Sequence, residues 1–207
     1  GAAISVEVAE FISALGMTVY EGYGLTETSP VAAANTPSHR RVGSIGKEIP
    51  GVRIEIDREV TGDSEIGEII IHGPNVMLGY YNLPEENEKA LTPQRGFRSG
   101  DLGYRDEDGF LYVRGRIKEQ YKLENGKYVV PSPIEEQLQL SGYVTNIMVY
   151  GEQRPYNVAV IVPDMEALTK WAADHGLGDL SESALLESES VNDLYRREID
   201  RLSGSIK

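Results

Sequence analysis

Glu21-Gly22-Tyr23-Gly24-Leu25-Thr26-Glu27 is the stretch on which the reading of this chain turns. It follows a short apolar run, Met17-Thr18-Val19-Tyr20, whose pattern predicts a strand. Gly22 and Gly24 allow a tight turn and a close approach of backbone to a ligand. Thr26 adds a hydroxyl that donates to a phosphate oxygen, and Glu27 a carboxylate able to hold a phosphate-bound Mg²⁺. Tyr23 offers a flat face for a base. These residue types together suit a nucleotide and its metal, although the same glycines in isolation would serve a plain strand-to-loop turn.

Working outward, the first helix is expected to start at Ser5, to carry Ile4, Val8, Phe11, Ile12 and Leu15 on one side, and to close at Gly16. From Val42 to Tyr81 the texture is β. Val52, Ile54 and Ile56 alternate with Arg53, Glu55 and Asp57 as in a half-buried strand, and Ile69-Ile70-Ile71 reads as another. Asp108-Gly109, between Leu102–Tyr104 and Phe110–Val113, is a hairpin turn signal. Beyond Arg116 a helix is expected to start at Ser132-Pro133 with Glu135 behind it. Strands are expected at Ile147–Tyr150 and Asn157–Val162. A helix capped by Asp164 should carry Leu168 and Trp171 and end at Gly176. The acidic stretch Glu182–Asp193 predicts a solvated face of a last helix running to Leu202.

Composition sets outer bounds. The 207 residues are 40% hydrophobic and 26% charged, as in a globular protein of one or two domains. A net charge of −13 disfavours a nucleic-acid partner. No stretch is apolar enough for a membrane span. The absence of cysteine excludes a disulfide framework and a thiolate nucleophile. His39, His72 and His175 lack metal-ligand spacing and read as surface or loop residues.

Three further motifs follow the first in order. Gly67-Glu-Ile-Ile-Ile-His-Gly-Pro-Asn-Val-Met-Leu-Gly-Tyr-Tyr81 reads as a strand and a glycine-broken turn, without direct chemistry. Phe97-Arg-Ser-Gly-Asp101-Leu-Gly-Tyr104 places a short carboxylate just after a glycine. Val113-Arg-Gly-Arg-Ile-Lys118 leads through Lys122 and Asn125-Gly126 to Pro133-Ile-Glu-Glu136. With the YGxTE stretch, this set resembles the adenylate-forming (ANL) superfamily, which includes acyl-CoA synthetases, luciferases and peptide-synthetase adenylation domains. Leu123-Glu-Asn-Gly-Lys-Tyr-Val-Val-Pro131 resembles the long-chain fatty acyl-CoA synthetase variant.

The resemblance covers essentially the whole chain and is to the C-terminal part of such an enzyme. It implies an α/β (α+β) fold. Residues 1–116 would be the β-rich distal part of the large adenylating domain, with a β-barrel-like subdomain, and 117–207 an incomplete small α+β lid domain. It implies that Asp101 is the ribose ligand and that Arg116 reaches the ribose or a phosphate. Thr26 and Glu27 would act on the phosphates and Mg²⁺. Lys118 would be the hinge, Gly126 would stand beside the thiol-acceptor channel, and Gly1-Ala2-Ala3 would end a loop against adenine. The implied activity is an ATP-dependent acid–thiol ligase for long-chain fatty acids, with ATP and coenzyme A as co-substrates. A glycine-rich phosphate loop and a C-terminal catalytic lysine are missing, so a fragment of a longer enzyme, inactive alone, is expected. A fatty acyl-AMP ligase, a carrier-loading adenylation domain and a non-catalytic nucleotide module stay open. The cytoplasm is the expected compartment, with peripheral contact at the inner face of the membrane left open.

Overall fold

The computed structural model describes residues 4–61 and 64–204. Gly1 and Ala2, expected against adenine, lie outside the described residues. The chain is a mixed α/β protein of two compact units, Gly1–Glu119 and Gln120–Lys207.

In the first unit, α1 (Val6–Ala14) begins where the Ser5 hydroxyl accepts the Val8 N–H at 3.3 Å. It stops before Gly16, whose φ of +84° favours glycine. Met17–Tyr20 is not a strand; the first strand is β1 (Gly22–Tyr23), paired with β2 (Ala33–Ala34). The small side chains of β2 lie opposite the glycine end of the motif, and Met17-Thr-Val-Tyr20 has no such partner among the described residues. A third short strand, β3 (Lys47–Glu48), completes this antiparallel sheet.

β4 (Arg53–Asp57) and β5 (Gly67–His72) follow, then α2 (Pro84–Ala90), β6 (Phe97–Arg105) and β7 (Leu111–Arg116). The four strands form an antiparallel meander in chain order. β4 buries Ile54 between exposed Arg53 and Glu55, as the alternation predicts. Ile69, Ile70 and Ile71 are all buried because β5 is a central strand, paired with β4 and β6. The Asp106–Phe110 turn joins β6 to β7, with Gly109 at φ +84° and its N–H donating to the Asp106 carbonyl at 3.0 Å. The Ile45 N–H donates to the Leu111 carbonyl and the Leu111 N–H to that of Gly46, both at 2.9 Å. These bonds bring the chain before β3 onto β7. Ile45, Ile54, Ile69, Ile71 and Leu111 share one core. His72 differs from its surface reading. It ends β5 with a largely covered ring, Nε2 lying 3.2 Å from Glu55 Oε2 but off the hydrogen-bond direction.

The second unit opens with a hairpin of β8 (Tyr121–Lys122) and β9 (Tyr128–Val129). α3 (Pro131–Leu138) starts earlier than expected. Val130 stands at its cap position without a side-chain bond, and Pro131 rather than Ser132 opens the first turn. Proline is preorganised for that position, where its missing N–H costs nothing. Glu135 Oε1 accepts the Val149 N–H at 2.7 Å, which ties α3 to β10 (Val144–Tyr150). β11 (Val158–Pro163) pairs antiparallel with β10. The Asp164 cap holds, its carboxylate accepting the Ala167 N–H at 2.9 Å at the start of α4 (Met165–Asp174). α5 (Glu182–Leu186) and α6 (Glu189–Ser203) complete the unit. α6 buries Val191, Leu194 and Leu202, leaving most of its acidic residues in solvent. No helix among the described residues is long and apolar enough to cross a membrane.

Two carboxylates link this packing to pH. Hydrogen bonding from Arg201 lowers Glu198, helped by the Ser141 hydroxyl at 2.7 Å. Burial pushes Glu48 up, but bonds from Arg105 and the Ile54 N–H outweigh it and leave the group lowered. A carboxylate depressed by folding stabilises the protein above its unfolded value of 4.5 and loses that contribution as pH falls through its folded value. Glu21 and Glu136 are raised by burial and partly offset this. The thermal midpoint is expected to fall as pH drops below 4.5, and less steeply in Glu198→Gln. A midpoint independent of pH through that range, or an unchanged slope in the variant, contradicts the assignment.

Candidate functional site

The loop after β1 is folded by contacts that only glycine permits at position 24. A Cβ there would lie 1.7 Å from the Pro30 carbonyl oxygen. The Ala32 N–H donates to the Tyr23 carbonyl at 2.7 Å, so the chain reverses within ten residues. Thr26–Thr28 forms one 3-10 turn, followed by Ser29 at φ +56°. Thr28 is fully buried; its hydroxyl accepts the Leu25 N–H at 2.9 Å and donates to the Leu25 carbonyl at 3.1 Å. That inward anchor leaves Thr26 exposed and Glu27 half-buried on the same turn.

Glu27 has a defined environment. Its Oε1 accepts the Tyr80 hydroxyl at 2.8 Å, and its backbone carbonyl accepts the Met77 N–H at 2.8 Å. Among the described residues no lysine, arginine or histidine forms an ion pair with it, and no group of three or more metal-ligating side chains exists. A single half-buried carboxylate without a cation partner fits a Mg²⁺ held chiefly by substrate phosphates and water.

The second group centres on Asp101. The β6–β7 register sets Asp101 directly opposite Arg116, whose Nε lies 3.0 Å from Asp101 Oδ1. The Tyr23 hydroxyl donates to Asp101 Oδ2 at 2.6 Å. The Asp101 side chain is only 8% exposed against 57% for Arg116, so the cation is the solvent-facing member. Burial, then the Asp101 charge and its hydrogen bond, push the Tyr23 phenol far above its ordinary range and keep it a donor. The Asp101 N–H donates to Ser99 Oγ at 3.0 Å, and that hydroxyl donates to the Ile69 carbonyl at 2.7 Å. The neighbouring Gly100, at φ +71°, donates to the buried Glu68 carboxylate at 3.1 Å.

The structure thus joins Tyr23, Asp101 and Arg116 directly and places Thr26 and Glu27 on the turn beyond Tyr23. The Tyr23 ring packs against the core and its hydroxyl donates to Asp101, a contact that its reading as a flat face for a base did not include. Asp101 Oδ2 accepts from the Tyr23 hydroxyl, whereas Arg116 Nε stands beside Oδ1 as an ion pair off the hydrogen-bond direction, so both oxygens retain accepting capacity. Lys118 is exposed in the 3-10 turn Ile117–Glu119, at the end of the first unit, and has no hydrogen bond to either group. Gly126 belongs to the second unit, in the turn between β8 and β9, with φ +86° and its N–H on the Leu123 carbonyl.

The segment 67–81, read from sequence as a structural strand and turn, contributes two side chains to this region besides the Met77 N–H. Tyr80 binds Glu27, and Asn75 Nδ2 donates to the carbonyls of Thr28 at 2.9 Å and Val31 at 3.1 Å. No spacing within the segment signals these contacts, which depend on how the loop after β5 meets the turn after β1.

An anion-bearing turn and a buried aspartate opposite an arginine stand in the first unit, and an α+β unit follows. The chain belongs to the AMP-binding enzyme family: the model of that family matches residues 1–81, and that of the AMP-binding enzyme C-terminal domain matches 118–199. It is 34% identical over 195 residues to the long-chain-fatty-acid–CoA ligase FadD15 of Mycobacterium bovis, covering 91% of this chain and 31% of that protein. The chain therefore spans about a third of the length of this relative. Among solved structures, o-succinylbenzoate coenzyme A synthetase (MenE) from Bacillus subtilis, in complex with ATP and magnesium ion, matches with a TM-score of 0.69 and 30% identity. That match covers 79% of this chain and 35% of the other. The adenylation domain of a carboxylate reductase from Mycobacterium chelonae matches with a TM-score of 0.76 and 27% identity, over 99% of this chain and 30% of that one.

Proposed function

We propose that the protein containing this chain is an ATP-dependent acid–thiol ligase that activates a long-chain fatty acid as its acyl-adenylate and transfers it to coenzyme A. The observation that carries the reading is the Glu27 carboxylate, held by Tyr80 and lacking a cationic partner, on the turn that follows the Tyr23–Asp101–Arg116 cluster. The likeness to the FadD15 ligase supports the fatty-acid class.

In the first step a fatty-acid carboxylate oxygen attacks the α-phosphorus of ATP and pyrophosphate leaves. Asp101 accepts ribose hydroxyls through its remaining lone pairs. Arg116, the exposed partner, adds a fixed positive donor toward ribose or phosphate. The Thr26 hydroxyl donates to a phosphate oxygen, and Glu27 would hold the nucleotide's Mg²⁺. Bound there, the ion would neutralise the developing phosphate charge. In the second step the thiol of coenzyme A attacks the acyl carbonyl and AMP leaves. Between the steps the unit after Glu119 turns about Lys118, and Gly126 lies beside the path of the incoming thiol. The position of Lys118 one residue before the last of the first unit supports the hinge assignment.

The test is ATP–pyrophosphate exchange by the full-length parent across fatty acids of increasing length. Exchange rising with chain length, and loss of about 10- to 100-fold in Glu27→Gln with partial recovery at high Mg²⁺, is the expected result. No exchange with any fatty acid from a folded protein sinks the fatty-acid ligase reading and leaves a different acid substrate or a nucleotide-binding module without chemistry. The match to a carboxylate reductase's adenylation domain, over 99% of this chain and 30% of that one, favours one second reading, a different acyl acceptor. It is distinguished by exchange that proceeds normally while coenzyme A yields no thioester. The cytoplasm is the compartment we assign, with contact at the membrane surface confined to delivery of insoluble acids.

A further inference from the structure

We infer that Tyr80 is a positioning residue for the metal-binding carboxylate: it fixes one oxygen of Glu27 and leaves the other for the cation of a bound metal–nucleotide complex. The inference rests on the reading of Glu27 given above.

Three groups from one short segment hold the turn that carries Glu27. Asn75 Nδ2 donates to the carbonyls of Thr28 and Val31, the Met77 N–H donates to the Glu27 carbonyl, and the Tyr80 hydroxyl donates to Glu27 Oε1. The first two fix backbone; only Tyr80 acts on the carboxylate. Oε2 has no protein donor among the described residues. Tyr80 is itself held at both backbone groups by one side chain. Asn87 Oδ1 accepts the Tyr80 N–H at 2.6 Å, and Asn87 Nδ2 donates to the Tyr80 carbonyl at 2.9 Å. Asn87 lies on α2, so a helix outside the nucleotide motifs sets the position of the phenol. Gly79 fits the same arrangement: its φ is +144°, and a Cβ there would meet Asn87 Oδ1 at 2.8 Å.

The chemistry favours an orienting role over a fold-holding one. A neutral phenol donating to a carboxylate keeps the carboxylate's charge, whereas a lysine or arginine there would compete with a cation for it. A donor bound to one oxygen also restricts rotation of the carboxylate, which lowers the entropy lost when the other oxygen binds a metal.

The experiment uses the full-length parent and its Tyr80→Phe variant, which keeps the ring and removes only the hydroxyl. Binding of Mn²⁺ in the presence of ATP is followed by electron paramagnetic resonance, and binding of ATP without metal is measured by calorimetry in excess chelator. The expected result is about a tenfold loss of Mn²⁺ affinity, with metal-free ATP affinity unchanged. Adding Tyr80→Phe to Glu27→Gln should weaken metal binding no further, because the phenol acts through that carboxylate. Equal losses with and without metal would reveal a general structural role and overturn the inference, as would unaltered Mn²⁺ affinity in Tyr80→Phe. A wild-type parent that binds ATP equally with and without metal overturns the Glu27 reading itself, an outcome visible before any variant is made.

Discussion

Gly24→Ala is expected to dismantle the turn that carries Thr26 and Glu27. The added methyl would meet the Pro30 carbonyl oxygen at 1.7 Å and the Val31 Cα at 2.8 Å, both of them backbone. Backbone cannot rotate away as a flexible side chain can, so the segment 24–31 must move as a whole. That movement opposes the Ala32–Tyr23 hydrogen bond and the buried Thr28 anchor. Overpacking of this kind costs about 3 kcal/mol or more. A drop of several degrees in thermal midpoint should accompany complete loss of ATP–pyrophosphate exchange in the parent protein. A stable variant with normal exchange would mean that the loop reorganises freely, contrary to these contacts. Gly22→Ala provides the contrast: its Cβ would meet the Ala33 oxygen at 3.4 Å, an ordinary contact, and the effect should be much smaller.

The second large effect is at Asp101. In Asp101→Asn the remaining carbonyl oxygen still accepts from Tyr23, but the amide group then faces Arg116 Nε, donor against donor. Asp101→Ala removes both acceptors and leaves the Tyr23 hydroxyl without its partner in a largely buried site. A buried polar group left unsatisfied costs about 1–3 kcal/mol. Arg116 is 57% exposed and recovers water, so it adds little to that loss. The functional effect should exceed the structural one. If Asp101 holds the ribose, Asp101→Asn raises KM for ATP by about 100-fold, the loss of two charge-assisted hydrogen bonds. Fatty-acid dependence should be unchanged, and stability should fall by far less than in the alanine variant. An Asp101→Asn parent with an unaltered KM for ATP would make Asp101 a purely structural ligand of Tyr23 and Arg116.

The two sites differ in how far they were legible in the chain. The β4 alternation, the triple isoleucine of β5, the Asp108-Gly109 turn and the Ser5 and Asp164 caps depend on neighbours within a few residues, and each matches the structure. Two local readings fail. Met17–Tyr20 has strand-like residues but no pairing partner among the described residues, and Pro131 preempts the capping signal at Ser132. The lack of metal-ligand spacing around His72 says nothing of its burial, which follows from its place at the end of a central strand.

Residue type and order determined the kind of chemistry. A hydroxyl and a carboxylate after paired glycines, an aspartate after Ser-Gly and an arginine in the following basic stretch are covalent facts, independent of folding. Which atoms meet was decided by tertiary structure alone. Tyr23 and Asp101 are 78 residues apart, and Glu27 and Tyr80 are 53. Their hydrogen bonds require a sheet register, a strand order and a loop path that no local preference encodes. A one-residue slip of β6 against β7 would turn Asp101 to the opposite face of the sheet from Arg116. Register is a property of the packed core, in which Ile69, Ile71 and Leu111 must all be covered at once, and it exists only when the whole unit has folded.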